Sequence, residues 1–311
     1  MSIEMILGKI DEQLRAGIYP GASLALYRDG QWLDFYFGLA DPSRKEGTRS
    51  GLVYDLASVS KVVGVGTVAA FLLHSSSLEL DRPLRHYYPA FHDNQVTVRQ
   101  LLTHTSGLDP YIPHRNELNA QELKAALNRL TVLEDRSFRY TDVNFLLLGF
   151  MLEEMFDKSL DVLFQQEIFD PWQLSETGFG PVKEAVPTVR GVEGGLVHDP
   201  KARVLGIHAG SAGLFSTVKD LKRFLEHYLQ DEFASELTQN FSREAGKARS
   251  LGWNIDGNWL DHTGYTGTFI MYNRIEQKAV IFLSNRTYEK DERAQWILDR
   301  NQLMDLIKKE L

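Results

Sequence analysis

Two β-rich regions lie near opposite ends of this 311-residue chain, and the long stretch between them carries helical patterns instead. Near the N-terminus, residues 23–28 and 31–37 are rich in apolar and aromatic side chains, and the dipeptide Asp29-Gly30 between them is a favoured two-residue hairpin turn. Further β-type runs follow near the C-terminus, at residues 251–255, 258–263, 267–273 and 278–284. The pattern predicts one antiparallel sheet assembled from both ends of the chain.

Helical periodicity occupies the middle of the chain and its two tips. Residues 2–16 place their apolar side chains on one stripe, and a last helix is predicted at roughly 290–309. A helix near 218–230 precedes the C-terminal strands. The middle of the chain has no β-rich run, and helices are predicted there at residues 58–74, 97–103, 120–130, 142–156 and 159–167.

The order of these elements predicts both a fold class and a division into domains. An antiparallel sheet flanked by helices, with a mostly helical lobe inserted between its two halves, is an α+β fold. We expect residues 1–60 and 206–311 to form a discontinuous sheet domain and residues 61–205 to form the helical lobe. The active site is then expected between the two.

Charge and composition exclude several classes of function. The chain has 34 lysines and arginines against 42 aspartates and glutamates, a net charge of −8 and no basic cluster, so nucleic acid is not an expected partner. It has no cysteine, which excludes thiolate catalysis and disulfides. The longest apolar run, residues 62–73, is shorter than the ~20 residues that span a bilayer and predicts a buried helix. No signal-peptide pattern is visible, which favours a cytoplasmic protein, with secretion after removal of a signal peptide as the alternative.

Two Ser-x-x-Lys patterns occur, one formed by Ser58 and Lys61 and the other beginning at Ser216. Residues three apart on a helix share a face, with Cβ atoms ~5–6 Å apart, so the Lys61 amine can reach the Ser58 hydroxyl. Burial and the helix dipole would lower the pKa of the amine, and a neutral lysine can take a serine proton. The second pattern is interpreted as a helix cap, because Thr217 and Asp220 form a capping-box pair.

Two further elements follow in order: Tyr140-Thr141-Asp142 before a predicted helix, and His262-Thr263-Gly264 on a predicted strand. Together with Ser-x-x-Lys they resemble the serine β-lactamase and penicillin-binding-protein superfamily, in particular its class C branch, which also holds esterases and D-amino-acid peptidases. That superfamily carries Ser-x-x-Lys, Tyr-x-Asn or Ser-x-Asn, and Lys-Thr-Gly. Residues 96–108 and 210–221 resemble the same branch. The resemblance implies a β-lactamase/transpeptidase-like fold.

The resemblance also implies roles for individual residues. Ser58 is acylated, Lys61 activates it, and Tyr140 relays a proton to or from the leaving group. The backbone N–H groups of Ser58 and Tyr265 form the oxyanion hole, where each donor typically contributes ~3–4 kcal/mol. The residues expected to bind substrate are Asp142, His262, Thr263 and Gly264.

Asp142 stands where the family usually has asparagine. An ionised carboxylate only accepts hydrogen bonds, so Asp142 cannot donate to a substrate carbonyl. Three interpretations are open. Asp142 pairs with Lys61, which keeps the lysine charged and shifts the base role to Tyr140 as a phenolate; it binds a substrate ammonium; or it caps the helix that follows.

His262 stands where the family often has lysine, so the site loses a fixed positive charge. With an ordinary pKa of ~6.5, this histidine is expected to be neutral at pH 7.5 and to regain the charge at lower pH. Recognition of a substrate carboxylate, as in penicillins and D-alanyl-D-alanine ends, is expected to weaken. The sequence therefore favours a serine hydrolase of neutral carboxylic esters or small amides, including D-amino-acid peptides. The alternatives are a D-alanyl-D-alanine carboxypeptidase or β-lactamase and, beyond those, a non-hydrolytic sensor of cell-wall fragments.

No catalytic metal or other cofactor is expected. The nine histidines include no His-Glu-x-x-His pair and no cluster with metal-ligand spacing. His104, in the segment Leu-Thr-His-Thr-Ser-Gly, is interpreted as a structural hydrogen-bonding residue. The expected partner is a small-molecule ester, amide or D-amino-acid substrate.

Overall fold

A seven-stranded antiparallel sheet forms the centre of the protein, for which a computed structural model describes residues 2–244 and 247–311. The strand order in this sheet is β3-β2-β1-β10-β9-β8-β7, and a small second sheet has the order β4-β6-β5. The strands are Gly21–Arg28 (β1), Gln31–Asp41 (β2), Glu46–Gly47 (β3), Tyr54–Asp55 (β4), Gly178–Phe179 (β5), Leu214–Ser216 (β6), Asn254–Asp256 (β7), Trp259–Thr263 (β8), Phe269–Asn273 (β9) and Lys278–Ser284 (β10).

The two ends of the chain meet at the middle of the large sheet. Strand β1 pairs antiparallel with β10. Ala22 lies opposite Ser284, and the pairing continues along both strands. On its other side β1 pairs with β2 through the Asp29-Gly30 turn, and both turn residues have positive φ, as this hairpin requires. The prediction of one antiparallel sheet built from both ends is confirmed.

Helices cover both faces of the sheet. They are Ser2–Arg15 (α1), Thr67–His74 (α2), Leu84–Tyr87 (α3), Val98–Leu102 (α4), Ala120–Leu127 (α5), Asp142–Phe156 (α6), Leu160–Phe164 (α7), Pro200–Leu205 (α8), Val218–Gln230 (α9) and Arg293–Glu310 (α10). Short 3-10 turns lie at Ala57–Val59, Arg115–Glu117, Gly206–His208 and Glu232–Thr238, and π-helical turns at Val62–Gly66 and Gln165–Phe169.

Successive side chains of the central strands point to opposite faces of the sheet, so the apolar side chains contribute to two separate cores. Leu24 and Leu26 of β1 join the cluster made with α1 and α10, whereas Ala25 between them faces the opposite cluster. That second cluster includes buried residues of α9 and of the helical middle of the chain. One core thus contains side chains of both the sheet and these helices. The division of the chain into two domains, at residues 60/61 and 205/206, therefore stays a prediction.

The predicted helix over residues 58–74 is interrupted. It begins as a 3-10 turn, continues through the π-helical turn Val62–Gly66 and becomes α-helical at Thr67. This stretch is long and apolar enough to cross a membrane, but 72% of it is buried inside the protein, as predicted for a core helix. A Cβ at Gly64 would lie 2.4 Å from the Phe164 ring, so the glycine permits the close approach of α7.

Candidate active site

The small sheet fixes the turn that carries Ser58. Strand β4 pairs with β6, and the buried Asp55 at its end accepts hydrogen bonds from the backbone N–H groups of Ala57 and His198, both at 2.7 Å. Burial raises the pKa of Asp55 to about 6. Ala57 has φ of +45°, a conformation that costs ~1–3 kcal/mol for a residue with a side chain and that often occurs at functional sites. This strained turn presents the half-buried Ser58 at the start of the helical segment.

Lys61 lies fully buried beside Ser58 and uses all three of its N–H donors. Its Nζ donates to Ser58 Oγ at 2.9 Å, to Asp142 Oδ1 at 2.8 Å and to the carbonyl oxygen of Ser211 at 3.0 Å. Burial opposes the charge, but the Asp142 carboxylate and the Tyr140 hydroxyl outweigh it and raise the pKa of Lys61 above its ordinary value. Of the two states left open by the sequence, the contact with Asp142 favours the charged lysine over the neutral base.

Asp142 bridges two ammonium groups. Its Oδ1 accepts from Lys61, and its Oδ2 lies 3.2 Å from the Nζ of Lys201, a residue that no sequence motif marks. Although burial favours the neutral acid, these two cations hold the pKa of Asp142 well below its usual range. Thr141, not Asp142, is the N-cap of α6, so the capping interpretation is wrong and the pairing with Lys61 is correct.

Tyr140 lies between charged and neutral groups at the mouth of the site. The Lys61 Nζ is 5.1 Å from the centroid of its ring, and the charge of Arg249 also acts on Tyr140. The buried His104 packs against the ring at a centroid distance of 4.5 Å, and its Nδ1 lies 3.0 Å from the Asn144 amide nitrogen. Burial lowers the pKa of His104 well below its usual value, so a neutral imidazole supports the phenol, in keeping with the structural role predicted for it.

The loop between β8 and β9 is fastened to the turn that carries Ser58. Thr266 Oγ1 donates to the carbonyl oxygen of Asp55 at 3.0 Å, and Thr268 Oγ1 donates to that of Leu56 at 3.1 Å. No hydrogen bond leads from the backbone N–H of Tyr265 to any other group in the described ranges. This loop therefore lies against the turn that carries Ser58, and in those ranges the donor capacity of the Tyr265 N–H is unused.

Gly264 lies against the nucleophile turn. A Cβ at this position would lie 2.7 Å from the carbonyl oxygen of Leu56 and 2.1 Å from Thr268 Oγ1. We expect Gly264→Ala to push the loop away from Ser58 and to lower kcat by ~10²-fold, because displacing a catalytic group by ~1 Å has an effect of that order. Steady-state kinetics check this. The control is Gly47→Ala on the edge strand β3, where a new Cβ meets nothing within 4 Å; equal kinetics in both variants would contradict the role given to Gly264.

Arg286 holds the carbonyl side of the same loop. It is 3% exposed, its guanidinium donates to the carbonyl oxygen of Tyr265, and it forms an ion pair with Asp291 at 2.6 Å. The Tyr265 hydroxyl, which is on the surface, also donates to Asp291. Both ends of Tyr265 are thus anchored, and its backbone is fixed in orientation.

His262 is buried and neutral. Its Nδ1 lies 3.1 Å from the carbonyl oxygen of Thr263, and its side chain is 3% exposed. Burial, together with the charges of Lys61 and Arg249, lowers the pKa of His262 well below its usual value. The expectation that it gains a charge just below pH 6.5 is therefore wrong, because the side chain is buried and the charges of Lys61 and Arg249 act on it.

This burial predicts a pH dependence of stability. In the unfolded chain His262 binds a proton below its ordinary pKa of ~6.5, whereas in the folded protein it stays neutral, so the free energy of unfolding falls as the pH drops. Between pH 6.5 and 5.5 we expect wild type to lose about 1 kcal/mol more than His262→Gln, measured by urea unfolding. The exposed His86→Gln is the control and is expected to behave like wild type. Identical pH dependence in the His262 variant would contradict the assignment.

A cleft of about 1040 Å³ opens over Ser58, Tyr140 and Asp142. Eight lysine and arginine side chains and five aspartates of the described residues line it. Among them, Arg249 is 4% exposed, and Arg300 of α10 donates to Thr263 Oγ1 at 3.2 Å. Lysine and arginine side chains of other elements therefore supply the positive charge that position 262 lacks. No sequence motif marks these side chains.

The second Ser-x-x-Lys pattern has no part in this site. Thr217 is the N-cap of α9, with its side chain accepting from the Asp220 N–H, which confirms the predicted cap. The Ser216 hydroxyl lies 2.8 Å from the hydroxyl of Thr177, and Lys219 pairs with the Glu176 carboxylate at the surface.

Comparison with known proteins places this arrangement in a family. Residues 8–304 match the family described as Beta-lactamase. A putative D-alanyl-D-alanine carboxypeptidase of Escherichia coli O157:H7 is 26% identical, over 90% of this chain and 81% of that protein, and a protein of the same description from Salmonella typhimurium is 25% identical, over 90% and 82%.

Solved structures share the fold at low sequence identity. EstCE1, described as a hydrolase with promiscuous acyltransferase activity, superposes with a TM-score of 0.79 at 18% identity, over 98% of both chains. A class C β-lactamase gives 0.76 at 18% identity, over 99% of this chain and 96% of that chain. The penicillin-binding protein homologue of Pyrococcus abyssi gives 0.74 at 19% identity, over 100% and 79%. With the match to the family over nearly its whole length, the chain belongs to the Beta-lactamase family and is a serine hydrolase with the β-lactamase/transpeptidase fold.

Proposed function

We propose that this enzyme hydrolyses a small carboxylic ester or amide, including D-amino-acid peptides, through an acyl-enzyme formed on Ser58. The observation that carries the proposal is the 2.9 Å hydrogen bond from the buried Lys61 to Ser58 Oγ at an open cleft. A hydroxyl within hydrogen-bond reach of an activating group, beside unused backbone donors, is the arrangement that acyl transfer requires. The cleft volume suits a small-molecule substrate.

In the proposed acylation step, Ser58 Oγ attacks the carbonyl carbon of the substrate and its proton passes to the oxygen of Tyr140. In this proposal Tyr140 acts as a phenolate beside the Lys61 ammonium, whose Nζ lies 5.1 Å from the centroid of the ring. The oxyanion accepts hydrogen bonds from the backbone N–H groups of Ser58 and Tyr265. Tyr140 then protonates the departing alcohol or amine.

In the proposed deacylation step, water attacks the acyl-enzyme while Tyr140 again accepts a proton. The Ser58 oxygen leaves the acyl carbon and recovers its proton, which releases the carboxylic acid and the free enzyme. The Lys61 ammonium donates to Ser58 Oγ and stabilises the negative charge that develops there.

A second candidate function is a D-alanyl-D-alanine carboxypeptidase or β-lactamase. Its specific support is the presence of Arg249 and Arg300 in the cleft, where guanidinium groups suit a substrate carboxylate. The names of the curated relatives point the same way. The neutral His262 and the acceptor-only Asp142 favour the neutral ester or amide instead.

A substrate panel separates these functions. Wild-type enzyme is incubated with a neutral p-nitrophenyl ester, a chromogenic cephalosporin and a peptide ending in D-alanyl-D-alanine, and kcat/KM is compared at pH 7.5, with intact-protein mass spectrometry to detect the acyl-enzyme. We expect the neutral ester to rank first. A higher kcat/KM for the cephalosporin or the peptide would establish the second candidate, and binding without any acyl adduct or turnover would point to a sensor.

A further inference from the structure

We propose that Lys201 is a substrate-binding residue, which donates a hydrogen bond to a carbonyl oxygen in the acyl group of the substrate and so replaces the donor that Asp142 lacks. This inference rests on the proposed function. It concerns the substrate class, namely acyl groups that carry an amide carbonyl near the reacting carbon.

The position of Lys201 carries the first step. Its Nζ lies 3.2 Å from Asp142 Oδ2 and 3.3 Å from Asp199 Oδ2, and the side chain lines the cleft while remaining only 12% exposed. Lys61 contacts the other oxygen of the same Asp142 carboxylate at 2.8 Å. Asp142 thus joins Lys201 directly to the residue that contacts Ser58.

The donor count carries the second step. An ammonium group has three N–H donors and no acceptor, whereas an ionised carboxylate has acceptors only. The three donors of Lys61 are used by Ser58, Asp142 and Ser211. Two carboxylates lie beside the Lys201 ammonium, and among the residues that the structure describes no partner takes its third donor, which can therefore serve a ligand.

The charges of Asp142 and Lys201 explain why each of these residues needs the other. Without Lys201 beside it, the Asp142 carboxylate would offer only acceptor oxygens at this position, which disfavours a substrate carbonyl. Lys201 without Asp142 would place a second ammonium close to Lys61 with no anion between them. The Asp142–Lys201 pair therefore provides a donor without adding net charge beside Ser58.

The test compares two esters of similar size under identical conditions: the p-nitrophenyl ester of N-acetylglycine, which carries an amide carbonyl in its acyl group, and p-nitrophenyl pentanoate, which does not. Lys201→Met keeps the length of the side chain and removes the donor. We expect it to lower kcat/KM for the N-acetylglycine ester by ~10–100-fold and to change that for the pentanoate by less than ~3-fold, because a hydrogen bond to a charged donor has an effect of that size.

Lys308→Met is the matched control. Lys308 also lines the cleft, is 14% exposed and contacts two aspartates, Asp256 at 2.7 Å and Asp261 at 3.5 Å, but it does not contact Asp142. We expect this variant to leave the ratio of the two kcat/KM values within ~2-fold of wild type. An equal loss for both esters in Lys201→Met, or no loss for either, would overturn the inference, since a purely structural ion pair between α6 and α8 would not discriminate between them.

A double variant supplies an independent measurement. Asp142→Asn combined with Lys201→Met restores an amide donor at position 142 and removes the extra cation, so we expect the preference for the N-acetylglycine ester to recover by at least ~5-fold relative to Lys201→Met. Lys201→Gln, which keeps a neutral donor, should give an intermediate ratio. A ratio unchanged from Lys201→Met in both variants would overturn the inference. Hydrolysis at the wild-type rate in Ser58→Ala would instead refute the proposed function itself.

Discussion

Replacing Ser58 by alanine is expected to abolish the acyl-enzyme and to lower kcat/KM for an activated ester by at least ~10³-fold, because alanine offers no oxygen to attack the carbonyl carbon. The Ser58 hydroxyl is the one that accepts the Lys61 hydrogen bond at the cleft. Residual turnover would come only from the oxyanion donors and from substrate binding. Intact-protein mass spectrometry after mixing with the ester, together with steady-state kinetics, measures both effects.

The chain contains its own control for this experiment. Ser216→Ala makes the same substitution in the second Ser-x-x-Lys pattern, where the hydroxyl shares a hydrogen bond with Thr177 and donates to the carbonyl oxygen of Thr217 at 3.4 Å. We expect acylation at the wild-type rate and a loss of ~1 kcal/mol in the free energy of unfolding. A Ser58→Ala enzyme that still forms an acyl adduct at the native rate would exclude Ser58 as the nucleophile.

Much of the fold could be predicted because its elements have clear local signals. Strand β10 and helices α6 and α9 lie where periodicity placed them, and the Asp29-Gly30 turn forms the predicted hairpin. The strand predicted at residues 251–255 is the main failure, since only Asn254–Asp256 forms a strand. Gly252, with φ of +81°, donates its N–H to the carbonyl oxygen of Leu102 in another element, which takes the preceding residues out of the sheet.

In the candidate site, too, some features could be predicted from local sequence and others could not. Motif spacing was enough to single out Ser58 and Lys61, because three residues of helix set their separation regardless of the rest of the fold. Spacing could not decide between a neutral Lys61 and a charged Lys61 paired with Asp142. The protonation of Lys61 depends on Asp142, which lies 81 residues further along the chain and reaches Lys61 only after α6 has packed against the nucleophile segment.

Long-range packing also determines the charge of the cleft. Lys201, Arg249 and Arg300 come from three separate segments, and none of them belongs to a pattern that spacing could identify. The neutral state of His262 is equally a product of burial, since its sequence neighbours say nothing about how much water surrounds it. Sequence alone therefore singled out the candidate reacting groups but not the charges that surround them.

The second large effect on the acylation rate is expected from variants that block transfer of the Ser58 proton. Tyr140→Phe removes only the hydroxyl and keeps the ring that packs against His104, so the variant should fold like wild type while its acylation rate falls at least ~10²-fold, the usual span for a positioned acid or base. Lys61→Ala is expected to lose at least as much activity and also stability, because Asp142 loses the closer of its two ammonium partners. Pre-steady-state acylation kinetics and thermal unfolding, measured on the same preparations, separate the two effects.

The comparison between these variants identifies the base. In the proposed mechanism the Asp142 carboxylate keeps Lys61 protonated, so the lysine stabilises charge on Ser58 Oγ and Tyr140 accepts the proton. The exposed Tyr111→Phe removes a hydroxyl outside the site and is expected to acylate at the wild-type rate. Wild-type acylation in Tyr140→Phe would remove the phenol from the mechanism. The proton of Ser58 would then have to leave by way of Lys61, which would require Asp142 to release its ion pair when substrate binds.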